Sequence, residues 1–312
     1  MKTFEEIYEN IINKNGEELN IAFNELKDKD ENIKIVGLII CIIINILYVL
    51  LIKNKNILSL VFLVFIDIFI IIATITISQF SKEYKKYLKI YKEKVIKSII
   101  DNFYDDVEYF PFNMLPEKTY LESNCMNYDT YYSEDYFKGT INNKNKIEMA
   151  EVTTKEIRKY KDSDGEEQEK EIIIFSGLFS KIELGKSINN ELEIYRNNNS
   201  EIFKKNKVEM DSSEFEKNFD VNCTNKIVAM EILTSDVMEE LLRFKENSNI
   251  EFSIRIKNDK LYLKFICGDM FEIGKLKKGS LDKELLEKFF NILKFTNNLS
   301  SKLIQIIEET EI

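Results

Sequence analysis

Two long apolar runs break an otherwise polar chain. From Ile35 to Ile52 only Gly37 and Asn45 fall outside the apolar set, and from Ile57 to Phe80 the sole charge is Asp67. A bilayer core takes about 20 apolar helical residues to cross. The runs therefore predict two transmembrane helices, 35–52 and 57–80, closed into a hairpin by Lys53-Asn54-Lys55-Asn56. Residues 1–34 are rich in Glu and Asp and lack the short apolar core and small-residue cleavage site of a signal peptide. They read as a cytoplasmic amphipathic segment. Beyond Phe80, Tyr84, Leu88, Tyr91, Val95 and Ile99 recur at spacings of three and four, which predicts that the helix runs on as a stalk over 81–110.

After Pro111 and Pro116 the pattern changes to period two. Residues 250–256 alternate strictly, and Leu261, Leu263 and Phe265 continue beyond Lys257-Asn258-Asp259-Lys260, predicting a β-hairpin with one buried face. A second strand pair is expected at 139–141 and 147–152 around Asn142-Asn143-Lys144-Asn145, with further strands at 171–184, 192–196 and 208–210. Asp211 is placed to cap a helix over 212–219, with Glu214 completing a capping box, and a helix after Thr234 or Ser235 turns Val237, Leu241 and Leu242 one way. The chain closes on an amphipathic helix over 281–309, with a break expected at Asn297-Asn298; its stripe is Leu285, Phe289, Ile292, Phe295, Leu299 and Leu303. Strands followed by helices without βαβ alternation make residues 111–312 an α+β domain, a mainly antiparallel sheet packed with helices.

Charge sets the orientation. Lys27, Lys29 and Lys34 precede the first span and Lys82, Lys85, Lys86, Lys89, Lys92, Lys94 and Lys97 follow the second, against Lys53 and Lys55 in the loop. By the positive-inside rule both termini are cytoplasmic and the protein is a multi-pass protein of the cell membrane. Lys82, Lys85, Lys86 and Lys89 form a collar suited to anionic lipid headgroups, at about 1 kcal/mol per Lys. The chain carries a net charge of −10 and only four Arg, Arg158, Arg196, Arg243 and Arg255. That balance excludes a phosphate-tracking nucleic-acid surface, and the preference for Lys, Ile and Asn points to the AT-rich coding of a low-GC bacterium.

No His and no Trp occur, so His-dependent triads and His-ligated zinc are excluded. Cys41, Cys125, Cys223 and Cys267 are widely spaced, which suggests neither a zinc knuckle nor a disulfide framework. Among the nine Gly there is no GxGxxG, Walker loop or GxSxG. No cofactor is expected. In the 160–171 segment Asp162, Asp164, Gly165 and Glu171 fall on calcium-loop positions, but Tyr160 stands where the first ligand belongs, and the segment reads as a solvated hairpin turn. Asp105/Asp106 and Glu134/Asp135 are carboxylate pairs; neighbours in an extended chain point oppositely, so neither pair converges without help from the fold. Asp67 and Asn45 are the intramembrane polar residues. An ionised carboxylate at mid-span costs about 2.5–3.5 kcal/mol, so Asp67 is expected to be neutral or paired within the hairpin or a homo-oligomer, the sharper alternative being an ion pathway. Tyr128, Tyr132, Asp135 and Tyr136 are candidate interaction residues, with packing as their other role.

The order of features resembles a known family. A hydrophobic hairpin and stalk precede Ser133-Glu134-Asp135-Tyr136-Phe137 with Gly139, Ala150-Glu151-Val152, and Ile174-Phe175-Ser176-Gly177-Leu178-Phe179. Asp211-Ser212-Ser213-Glu214-Phe215-Glu216-Lys217, Phe219, Val221, Ala229, Ile232-Leu233-Thr234 and Met238 follow. This resembles the bacterial family called "domain of unknown function 3137". The resemblance implies a membrane-associated protein, no particular reaction, and a LemA-type membrane protein as a partner. The combined expectation is a membrane-anchored interaction or scaffold module, with a small-ligand or ion sensor, or a His-free membrane-tethered enzyme using carboxylates, as alternatives.

Overall fold

The structure is a computed structural model that describes residues 1–51, 57–79, 81–123, 127–161, 165–196, 206–272 and 281–310. Two compact units emerge, Glu5–Val95 with Ile273–Asp282, and Met1–Phe4 with Ile96–Glu272 and Lys283–Ile312.

The first unit is helical. Helix α1 (Phe4–Leu51) joins the acidic N-terminal segment and the first apolar run without interruption, and α2 (Ile57–Gln79) carries the second. The spacing predicted one helix running on beyond Phe80, and the structure instead starts a new helix there. Ser81, at φ −63 and ψ 152, breaks the run and caps α3 (Lys82–Ile90) by accepting from the Tyr84 amide at 3.0 Å. A π-helical stretch, Tyr91–Ile96, leads to α4 (Lys97–Ile100). The helices run antiparallel: Glu18 faces Lys94 at 3.7 Å and Glu25 faces Lys86 at 2.6 Å, while Asn45 meets Asp67. Leu19, Ala22, Phe23 and Leu26 are buried at helical spacing on α1, and Phe23 packs on Tyr87 with ring centroids 5.7 Å apart. The apolar runs behave otherwise. Only 6% of the most apolar window of each is buried, leaving Leu50, Phe62 and Phe69 among the exposed side chains.

The second unit is a seven-stranded antiparallel sheet with helices. Strand β1 (Asp105–Phe110) occupies residues expected to be stalk; the helix ends at Ile100, and pairing with β2 (Thr130–Ile141) takes over. Short α5 (Glu117–Leu121), which the hydrophobic pattern missed, lies between them. The Asn142-Asn143 turn forms as the sequence requires. Both residues take left-handed φ, 54 and 56, and the Lys144 amide donates to the Ile141 carbonyl at 3.1 Å, linking β2 to β3 (Asn145–Lys161). The strands expected at 171–184 and 192–196 are one, β4 (Glu167–Arg196), which pairs with β3 and then with β6 (Phe219–Cys223). Two-residue β5 (Lys207–Val208) closes that edge.

The hairpin expected over 250–265 is absent. Those residues form a single strand, β7 (Glu251–Ile266), laid along β4. Lys257-Asn258-Asp259-Lys260 is a bend, with Asn258 at φ 55, held down by Lys257–Glu191 at 3.2 Å and Lys260–Glu183 at 3.3 Å. Alternation continued through a polar bend looks the same in sequence as two strands around a turn. The helix α6 (Ser213–Asn218) is capped by Ser212 instead of Asp211, its hydroxyl accepting from the Phe215 amide at 3.2 Å. Glu216, not Glu214, reaches back, to the Met210 amide at 2.7 Å. Helices α7 (Lys226–Ile232), unforeseen, and α8 (Ser235–Ser248) follow. The last, α9 (Lys283–Glu309), is unbroken at Asn297, which is buried. It packs one sheet face through Phe295, stacked on Phe244 at 4.0 Å and edge-on to Phe252 and Phe265. On the other face Leu115 and Tyr120 join Ala150, Val152, Phe175, Phe179 and Tyr262 in a second core.

Candidate functional site

The apolar hairpin holds its polar residues in pairs. Asn45 donates through Nδ2 to both oxygens of Asp67, at 3.3 and 3.1 Å, and to the Cys41 carbonyl at 2.8 Å. Tyr48 and Ser59 share a hydrogen bond of 2.8 Å nearer the loop. Gly37 lets the helices approach, since a Cβ there would lie 2.4 Å from Thr74 Cγ2. The collar lysines are distributed along a helix face: Lys86 is paired with Glu25, Lys89 lies 3.8 Å from Glu93, and Lys82 and Lys85 are on the same helix. Lys92, counted with the flank in sequence, is fully buried.

The four interaction candidates do not form one platform. Tyr128 packs with Tyr120 and Tyr131 and donates to Glu117 at 3.1 Å. Tyr136, stacked on Phe110, donates to Glu148 at 2.7 Å, and burial together with the Glu148 charge raises its pKa. Tyr132 is exposed, and Asp135 is wholly buried. Tyr128 and Tyr136 both pack against the core of Leu115, Tyr120, Phe175 and Phe179, and Tyr132 and Asp135 are not part of it.

Around Asp135 the fold builds something else. The β2–β3 register shifts between Glu134 and Phe137, and Asp135 sits in that bulge at φ 54. A bulge redirects a side chain that regular pleating would send to the far face. Glu134 and Asp135 consequently converge, and with Glu272 they bring one carboxylate oxygen each within 4.8 Å of the others. Asp135 also accepts a short hydrogen bond from the Tyr109 hydroxyl. Glu151 stands directly opposite Glu134 on β3 and is buried. Its Oε1 accepts from the amides of Met270 and of Phe271, the latter at 3.1 Å, while its Oε2 is buried with no hydrogen-bond partner. Burial pushes the Glu151 carboxyl up to about 9, with the charges of Asp135 and Asp269 acting in the same direction and the two amides opposing. Phe271, against Phe289 at 4.6 Å and stacked with Tyr109 at 6.3 Å, forms an apolar wall beside it.

Carboxylates gathered this way can hold a proton or a cation. The neighbouring Cys267 is not an activated nucleophile, because burial pushes its thiol up to about 12. Asp105 and Asp106, the other acidic pair, are exposed and do not join the group; Asp105 accepts from the Asn143 amide at 3.2 Å. In the 160–171 segment Asp162 and Asp164 lie outside the described residues, and Glu171 pairs with Lys155 at 2.7 Å. Cys125 lies outside them too, while Cys41, Cys223 and Cys267 are free thiols. Glu272 had no sequence signal. Glu151 had one, being an acid in phase with the buried Ile147 and Met149 of its strand.

Residues 173–305, from within β4 into α9, match the family model described as "Protein of unknown function (DUF3137)". The matched stretch holds Phe175, Gly177, Phe215 and Phe219; Asp135, Gly139 and Glu151 precede it. No curated protein matches. Among solved structures, the "crystal structure of the mycobacterial trehalose monomycolate transport factor A, TtfA" aligns over 67% of this chain and 94% of that one. Its sequence identity is 9% and its TM-score 0.33, values that establish neither a shared topology nor a shared function. Over residues 173–305 the chain is thus similar to the family of unknown function DUF3137.

Proposed function

We propose that the protein is a membrane-anchored interaction module. In this reading the α1–α2 hairpin spans the bilayer with both chain ends in the cytoplasm, and the α+β unit makes protein contacts on that side. One observation carries it: α1 and α2 leave almost all of their apolar windows uncovered, 6% buried in each, whereas the sheet unit encloses most of its large apolar side chains in two cores. Water does not tolerate two such helices, and lipid does. Lys82, Lys85, Lys86 and Lys89 follow directly after the apolar run, where headgroup phosphates would neutralise them. Exposed Phe112, Met114 and Ile173 give the sheet unit apolar area for a partner. The partner in this reading is another membrane protein, of LemA type, or a second copy of the chain.

Topology is the test. With Cys41, Cys125, Cys223 and Cys267 replaced, Asn54→Cys reacts with an impermeant thiol reagent on intact cells, and Lys170→Cys reacts only after lysis. The reverse labelling pattern, or a chain that stays in the soluble fraction, overturns the reading.

A further inference from the structure

We propose that Glu134, Asp135, Glu151 and Glu272 form a binding site for a hard divalent cation of the Mg2+, Ca2+ or Mn2+ class. Two independent observations meet there. Glu134, Asp135 and Glu272 each bring a carboxylate oxygen within 4.8 Å of the other two, so that small adjustments place all three around one ion at the usual oxygen distances of about 2.0–2.6 Å. Separately, Glu151 is only 5% exposed and keeps one oxygen, Oε2, buried without a hydrogen-bond partner. A buried acceptor left without a donor is costly and rare. The other oxygen shows that its absence of a partner is not a general feature of the spot, since two backbone amides serve it. Cross-strand pairing puts Glu151 on the same sheet face as Glu134, and the Met270-Phe271 amides that fix its carboxylate lead straight to Glu272. Glu151 therefore lies on the sheet face of the carboxylate group, directly across the strand pair from Glu134.

The donor set selects the ion. All four ligating groups are carboxylates and the chain has no His, which favours hard, oxygen-seeking cations over zinc or copper. Glu134 and Glu272 are half-buried, leaving room for coordinated water and a route to solvent, while Asp135 and Glu151 form the closed inner side. The proposal stands apart from the membrane reading, because every residue belongs to the sheet unit.

The full chain in detergent micelles, stripped with chelator, is titrated with Mg2+, Ca2+ and Mn2+ by calorimetry and thermal unfolding. At least one ion binds with one-to-one stoichiometry and raises the unfolding midpoint by several degrees. Glu272→Gln and Asp135→Asn each weaken binding by at least about tenfold, whereas Glu246→Gln, an exposed change on α8, does not. Absence of binding by all three ions overturns the proposal. So does equal binding by the Glu272→Gln, Asp135→Asn and Glu246→Gln variants, which would mark the ion as a diffuse counterion of an acidic surface.

Discussion

The helical hairpin and the sheet unit each contain a glycine at a point of close approach and a carboxylate away from bulk water, and they resolve the two problems differently. In the hairpin Gly37 faces a side chain, the Thr74 methyl. In the sheet Gly177 faces backbone: at φ 149, a Cβ there would lie 2.0 Å from the Phe265 carbonyl oxygen and 2.8 Å from the Cys267 amide nitrogen. Asp67 in the hairpin accepts from a neutral side-chain donor, Asn45, on the adjacent helix. Glu151 in the sheet is answered by two amides on one oxygen only. Helices packed through side chains have slack that strands joined by main-chain hydrogen bonds lack. Local substitutions should therefore be absorbed in the hairpin and propagate in the sheet.

Replacement of the two glycines by alanine should open the widest gap between the regions. Gly177→Ala cannot be accommodated without moving β7 off β4, because the nearest atom is backbone of Phe265, which pairs with β4, and the next is backbone of Cys267 just beyond the strand. A loss of about 3 kcal/mol or more is expected, enough to prevent accumulation of the folded chain. Gly37→Ala asks only that Thr74 turn its methyl away, costing about 1 kcal/mol and leaving abundance intact. Urea unfolding of both variants in micelles measures the difference; equal losses would erase the contrast.

The carboxylate in the sheet separates two roles of Glu151. Glu151→Leu removes the acceptor for the Met270 and Phe271 amides and leaves two buried donors unsatisfied, at about 1–3 kcal/mol each. Glu151→Gln keeps an acceptor and matches the neutral carboxyl that prevails below about pH 9, so in chelator at neutral pH it should leave stability nearly unchanged. Equal losses by both variants in chelator-containing buffer would mean that the bonds to the Met270 and Phe271 amides do not decide the stability of the site.

The same contrast explains what could be read in advance. Both apolar helices, the α+β class and the Asn142-Asn143 turn follow from composition, period and turn chemistry, which are local properties. The single strand β7 and the early end of the stalk were missed because both depend on pairing with a distant strand: β7 with β4, and β1 with β2. The carboxylate group was half visible. Glu134 and Asp135 are adjacent, but their convergence needs a bulge whose position is set by the β3 register, and Glu272 arrives from 137 residues beyond Asp135 in sequence, a separation no local pattern reports.

The smallest effect belongs to Asp67, and it sharpens the comparison most. Asn45 donates one amide nitrogen to both carboxylate oxygens, so the geometry asks for an acceptor at 67 and not for a charge. Asp67→Asn keeps an acceptor and should leave insertion, abundance and hairpin stability unchanged. Asn45→Leu and Asp67→Leu each break the contact, and the double variant should lose no more than the sum of the two, with a coupling of about 0.6–1.7 kcal/mol, the range of interhelical hydrogen bonds in membranes. Unfolding of the four proteins in micelles gives the cycle. A coupling near zero would mean that Asp67 is satisfied elsewhere, and a coupling well above that range would mean that the hairpin, like the sheet, depends on a buried carboxylate that its surroundings cannot yield to.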